Sequence, residues 1–238
     1  MIRSQKYRKA TISIINKKAF WNVYDHLGTL ILLNLLSFVF ILTFVGIPLA
    51  LSGLFGVTKQ IAYYESVEFR DYWSNTKKYF KKAFSLAIFI MIFLFLLAAN
   101  LYFYYFQIIL SHTDANMRII FSIMLGGMVW LCIIFLIFLH YLFPMMVQFG
   151  DKFVSLLKKS YFLMLDNIVV SLYLFITSTF WFVLGIYTGI IAFFFSFSVV
   201  SVVCQTALRE VLNQYQPEAL SKDEEVRGFR DLIRPWRL

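Results

Sequence analysis

Four stretches of this chain carry no Asp, Glu, Lys or Arg: 26–58, 83–113, 119–150 and 167–208. Each exceeds the roughly 20 apolar residues that an α-helix needs to cross a bilayer core. Inside hydrocarbon every backbone N–H and C=O needs an internal partner, so uncharged runs of this length fold as helices. Composition agrees: 61% of residues are hydrophobic and 15% charged, against about 45–50% and about 25% in an average soluble domain. A soluble globular enzyme, a disordered or collagenous chain and a disulfide-rich scaffold are excluded. The sequence predicts an all-α, polytopic transmembrane helical bundle.

Breaks within the runs set the number of crossings. Gly46-Ile47-Pro48 interrupts the first, because proline lacks an N–H and disfavours helix at the residue before it. One helix is expected over 28–46 and a second over 48–67, with Pro48 in a first turn where it is tolerated. The middle runs give helices over 84–108 and 118–142. Gly185 and Gly189 divide the last run into helices over 168–184 and 188–208. Six spans place 1–26, 68–83, 143–167 and the tail from 209 on one side. With Lys59 snorkelling toward that side, these segments hold every Lys and Arg except Arg118. Positive charge marks the cytoplasmic side, so both termini are expected there. A single span in the first run would strand Arg70, Lys77, Lys78, Lys81 and Lys82 outside.

Three divisions follow: a basic cytoplasmic segment over 1–26, a transmembrane domain over 27–208 and a cytoplasmic tail over 209–238. The apolar patch Ile12–Ile15 is too short for the core of a cleavable signal, and the first long run starts at Leu27. Two cytoplasmic segments read as amphipathic helices lying in the membrane interface. In Ser66–Phe84 the residues Phe69, Trp73, Phe80 and Phe84 share a face; in Asp151–Leu165 apolar Phe153, Leu156, Leu157 and Leu163 contrast with Lys152, Lys158 and Lys159. In the tail, Gln214–Ala219 reads as a linker, and Ser221 with Glu224 has capping-box spacing. The stripe Val226, Phe229, Leu232, Ile233 beside four arginines suits either a membrane surface or a docking peptide for a partner.

The net charge of +9 is accounted for by these flanking segments, so nucleic acid is not an expected partner; membrane lipids are. Cys132 and Cys204 have neither CxxC spacing nor a nearby His pair, so neither a disulfide framework nor a metal site is expected. No P-loop, GxGxxG, HExxH or GxSxG occurs, and no catalytic or cofactor-binding residue is assigned. Ionisable groups inside a membrane are functional suspects, and no Asp or Glu lies deep in an expected span. Four weak candidates for substrate contact stand out. Lys59 is either a buried cation facing an anionic solute or a snorkelling lysine. His140 is either a lone packing residue or a catalytic group whose partner is not visible. Asn34 and Asn100 suit interhelical hydrogen bonds or solute contact. Small-residue spacings at Ser52/Gly56 and Gly185/Gly189 permit close helix contact, and Gly126-Gly127 suggests a close crossing or a bend.

A family resemblance adds context. Phe20-Trp21, Leu27-Gly28, Leu30–Leu36 with Asn34, then Ala50–Leu54 and Phe69–Trp73 leading to Lys77 and Phe80, resemble the YesL-like family of bacterial integral membrane proteins. Leu156–Ser160 with Asp166-Asn167 is similar to that family's second cytoplasmic segment. The family's tryptophan after Asn-Leu-Leu and its Pro-x-x-Thr-x-Gly turn are replaced here, where Ser37, Thr43, Gly46 and Pro48 stand. The resemblance implies a plasma-membrane protein associated with carbohydrate uptake transporters and sensor systems, with no catalytic residues to carry over.

The resulting expectation is a non-enzymatic accessory component of a carbohydrate uptake or signalling system in a bacterial plasma membrane. It would contact transporter or sensor subunits through its cytoplasmic amphipathic helices. The alternative is a permease-like subunit for a small neutral or weakly anionic solute. A permease should line a polar groove with Asn34, Lys59 and Asn100. An accessory protein should show a dry core. An enzyme should bring His140 within hydrogen-bond reach of another polar group.

Overall fold

A computed structural model describes residues 11–43, 46–109, 114–189 and 195–215. Among them are eight α-helices and no strand: α1 (Ile12–Asp25), α2 (Leu27–Ile41), α3 (Ile47–Ala62), α4 (Phe69–Ile109), α5 (Ala115–Phe149), α6 (Phe153–Asp166), α7 (Ile168–Thr188) and α8 (Phe197–Tyr215). Three of them, α4, α5 and α7, are long and apolar enough to cross a membrane. The pair α1–α2, bent by 85°, makes a fourth if it counts as one span. The fold is therefore an all-helical bundle with three to four candidate spans. The other two helices that the sequence assigns to the first run and to the end of the last are shorter or more polar. At 16 residues α3 is about 24 Å long, below the roughly 30 Å of a hydrocarbon core.

Several boundaries follow the local chemistry. Pro48 sits in the first turn of α3, as its missing N–H and fixed φ require. The start of α3 falls where Gly46 and Pro48 place it, but α2 ends at Ile41, five residues before the expected 46, and α3 at Ala62, five before the expected 67. Gly150 ends α5 in the left-handed region (φ 61°), where a side chain would be strained.

Other boundaries correct the sequence reading. Residues 12–25 form a helix rather than a plain basic segment: Ile15, Ala19 and Asn22 are buried at helical spacing, and α1 packs on α8. The segment 66–84 is not a separate interfacial helix. Its residues 69–84 are the first part of α4, which runs unbroken for 41 residues, about 60 Å. Asp151–Leu165 does form its own helix, α6. The break in the last run comes at Gly189 (φ 62°), and α8 starts at Phe197, nine residues later than expected. It continues to Tyr215, into what reads as tail. The expected linker beyond 215, the tail helix and residues 1–10 lie outside the described residues.

The core is assembled around α3 and α8. Eleven of the sixteen residues of α3 and thirteen of the nineteen of α8 are buried. Gly53 and Gly56 let α3 approach α4. A Cβ at Gly53 would meet the Thr76 hydroxyl at 2.5 Å and the Tyr72 ring at 2.6 Å, and one at Gly56 would meet Asn75 Cβ at 2.4 Å. On the other side Phe55 stacks on Phe143 of α5 at 5.5 Å. Thus α3 lies beside the charged first half of α4 and the last turns of α5. A smaller cluster, Leu30, Leu33, Leu54, Val57, Ile61, Tyr72 and Val202, joins α2, α3, α4 and α8.

The outer lengths of α4 and α5 have the opposite character. From Ile88 to Ile109 and from Met117 to Leu131 large apolar side chains are exposed, among them Ile92, Phe95, Tyr102, Ile119, Ile123 and Trp130. The outward face of α7, with Ile176, Phe180 and Val183, is the same. Water-soluble monomers seldom expose apolar area on this scale; a lipid-facing surface requires it. Gly126 and Gly127 lie on this surface with nothing within 4 Å of an added Cβ. They mark no close crossing among the described residues, and α5 runs on through them.

Candidate functional site

Polar and charged groups converge where the C-terminal ends of α3, α5 and α8 meet. The last turn of α3 leaves carbonyls without helical partners, and a following reversal places Tyr64 at φ 55°. Arg209 of α8 reaches this end. Its Nη1 donates to the Ala62 carbonyl at 2.6 Å, and its guanidinium lies over the rings of Tyr64 (4.6 Å) and Tyr63 (5.2 Å). A cation at a helix C-terminus meets the negative end of the macrodipole, and the two ring faces add cation–π attraction. Arg209 is buried, only 3% exposed, and its Nε has no hydrogen-bond partner among the described residues.

Neighbouring groups extend the cluster. Lys59 Nζ donates to the Val147 carbonyl at 3.3 Å, near the end of α5. Gln148 Nε2 donates to the Tyr63 hydroxyl at 2.8 Å. One turn before Arg209, Gln205 Nε2 donates to the Phe55 carbonyl at 3.1 Å. On the facing side α1 supplies two partners to α8: Lys18 pairs with Glu210 at 2.7 Å, and Asn22 donates to Thr206 at 3.2 Å. At the far end of α8 the Tyr215 hydroxyl bonds the Asp166 carboxylate. Burial, then the bond to Asp166, pushes the Tyr215 phenol up from its ordinary value.

The four sequence candidates have separate partners. Asn34 is fully buried, and its Oδ1 accepts the Ser198 N–H at 2.9 Å, satisfying a free donor in the first turn of α8. Lys59 belongs to the cluster above. Asn100 lies on the outer length of α4 and donates to Leu96 O of its own helix at 2.8 Å. His140 contacts Ser178 of α7, with Nε2 2.5 Å from the hydroxyl, while Nδ1 lies 2.8 Å from Leu136 O. With the proton on Nδ1, Nε2 accepts from Ser178, whose hydroxyl also has Phe175 O at 3.0 Å. This is nucleophile–base distance, but a backbone carbonyl occupies the position that a carboxylate takes in a catalytic triad.

Sequence reasoning missed Arg209, Gln205, Tyr63, Gln148 and Ser178. A signal for the first two existed: Gln205 and Arg209 are four apart and follow an apolar run without a turn residue between them, as one helical face requires. Ser178 carried none. Among the described residues no group of three or more His, Cys, Asp or Glu is placed to hold a metal ion, and Cys132 and Cys204 are unpaired. The chain matches no family model, no curated protein and no solved structure.

Proposed function

We propose that this chain is a multi-pass, non-enzymatic accessory component of a bacterial plasma membrane, working with a carbohydrate uptake or signalling system. One observation carries the reading. The polar side chains near the bundle core are engaged in joining helices to one another rather than converging on a solute chamber: Asn34 on α8, Lys59 on α5, Arg209 on α3. A permease needs a few placed polar groups facing a shared cavity, and the residues expected to line it are dispersed. The YesL-like resemblance of 20–84 supplies the association with uptake and sensor systems.

The proposed topology has six passes and cytoplasmic termini. Charge supports it. The basic start of α4, which reaches Gln60 through Asn75 and Gly150 through Lys82, the ends of α3 and α5, and the end of α8 beside Lys18 all meet at one end of the bundle. Positive charge gathered there fits the cytoplasmic face, and short passes such as α2 and α3 are accommodated by local bilayer thinning.

The test is extraction of the tagged chain from its own membranes in mild detergent, with identification of what accompanies it. Stoichiometric recovery of a transporter or sensor that already has its full set of subunits is expected. Recovery of a lone ATPase would replace the accessory reading with a transport subunit, and recovery of the chain alone would overturn both. The His140–Ser178 contact favours one second reading, a membrane-embedded hydrolase. Labelling of Ser178 by a fluorophosphonate, lost in His140→Ala, would establish it in place of the first.

A further inference from the structure

A groove of about 470 Å³ opens between α4, α5 and α6. Its lining is Phe89, Phe138, Leu157, Lys158, Tyr161 and Phe162, five large apolar or aromatic side chains and the alkyl stem of one lysine, whose ammonium lies at the rim. The volume lies within the roughly 300–1,000 Å³ of ligand sites, but the lining offers a polar solute almost no hydrogen-bond partners. The groove sits where the chain changes character. On α4 the charged stretch ends at Lys82 and Phe89 follows two turns later on the same face. On α5, Phe138 lies in the uncharged run that ends at Gly150. Lys82 donates to the Gly150 carbonyl, holding α4 against the α5–α6 link.

Charge at this place is one-sided. Asp151, the nearby carboxylate on the link, is occupied by Lys159 at 2.6 Å. Lys158 is exposed and takes part in neither of the two ion pairs among the described residues. An apolar slot with a free cation at the boundary between basic and uncharged segments matches a molecule with an alkyl body and an anionic head. We propose that the groove binds one acyl chain of an anionic phospholipid, with the phosphate on the Lys158 ammonium. The apolar walls take the chain by the hydrophobic effect, and a lysine at the headgroup level selects charge. This site is independent of which system the protein serves.

The experiment is native mass spectrometry of the delipidated full chain in neutral detergent, titrated with phosphatidylglycerol or phosphatidylcholine. Wild type should retain one phosphatidylglycerol in preference to phosphatidylcholine. Lys158→Gln should weaken phosphatidylglycerol about fivefold, one lysine's contribution near a membrane surface, and leave phosphatidylcholine unchanged. Lys152→Gln removes the same charge from the N-cap of α6 without touching the lining, and should change neither lipid. Phe162→Ser, at an exposed wall position, should weaken both. Equal losses in the two lysine variants would reduce the effect to surface charge and overturn the site. So would equal wild-type affinity for the two lipids, or retention of both by Phe162→Ser.

Discussion

Replacing Gly53 by alanine tests the close packing of α3 on α4, and Gly126 provides the internal control. Both glycines lie inside helices, where alanine is favoured by about 1 kcal/mol. At Gly126 nothing lies within 4 Å of the new methyl, so that gain should survive. At Gly53 the methyl would sit 2.5 Å from Thr76 Oγ1 and 2.6 Å from Tyr72 ring carbons. Neither neighbour has room to withdraw: Tyr72 is fully buried, Thr76 is 3% exposed, and the Thr76 hydroxyl is held by the Tyr72 carbonyl at 2.8 Å. Overpacking of this kind costs about 1–3 kcal/mol. The clash with two buried side chains that have no room to move argues for the upper half of that range, leaving a net loss of about 1–2 kcal/mol after the propensity gain. For a chain of this size about 1 kcal/mol moves a melting midpoint by about 2–4 °C. Gly53→Ala should therefore melt about 2–8 °C below wild type in detergent, and Gly126→Ala at or above it, by fluorescence-detected unfolding. A Gly53→Ala protein as stable as Gly126→Ala would refute the packing described for α3 and α4.

Four further outcomes follow from the same contacts. Glu210→Gln strands Lys18 in a largely buried position and should cost about 1.5–3 kcal/mol, with the exchange of Lys18→Glu and Glu210→Lys restoring part of it in the same melting assay. A double-mutant cycle on His140→Ala and Ser178→Ala should give a coupling of about 0.6–1.7 kcal/mol, the range for hydrogen bonds between membrane helices; a zero coupling would remove that contact. In a background lacking Cys132 and Cys204, a cysteine at Asp114 should react with an impermeant thiol reagent from outside intact cells and one at Ser155 only after permeabilisation, and the reverse would invert the topology. Because the folded state raises the Tyr215 phenol, the anchor to Asp166 contributes fully below the ordinary phenol range and is lost as pH rises through the raised value. Tyr215→Phe should thus lose stability at pH 8, and the difference from wild type should shrink as pH rises through the raised phenol value.

Much of the helical layout is legible in the residues themselves. Pro48 and Gly46 mark where α3 begins, although α2 has already ended at Ile41, and the charge-free lengths of α4, α5 and α7 announce helices that can cross a bilayer. Reasoning from charge went astray wherever a charged residue next to an apolar run was taken as a helix end. Lys82 and Ala83 sit side by side in one continuous α4, and Leu208 and Arg209 in one continuous α8. A helix passes such a boundary freely when its neighbours supply partners, and here Gly150 O and Ala62 O do so. Of the four candidate site residues, only Lys59 joins the main polar cluster, since nothing in a one-dimensional pattern says which carbonyl a long side chain will meet.

The sequence by itself determined that this chain is helical, apolar over bilayer-length stretches and asymmetrically basic, because periodicity, run length and the cost of an unpaired backbone in hydrocarbon are local properties. Only the tertiary structure decided that α8 is a mostly buried helix running on to Tyr215, that α1 is a packed helix, and that Arg209 is buried against the end of α3. Those outcomes rest on contacts between residues more than a hundred positions apart. A buried cation is tolerable only where a distant carbonyl and two aromatic faces happen to be waiting for it.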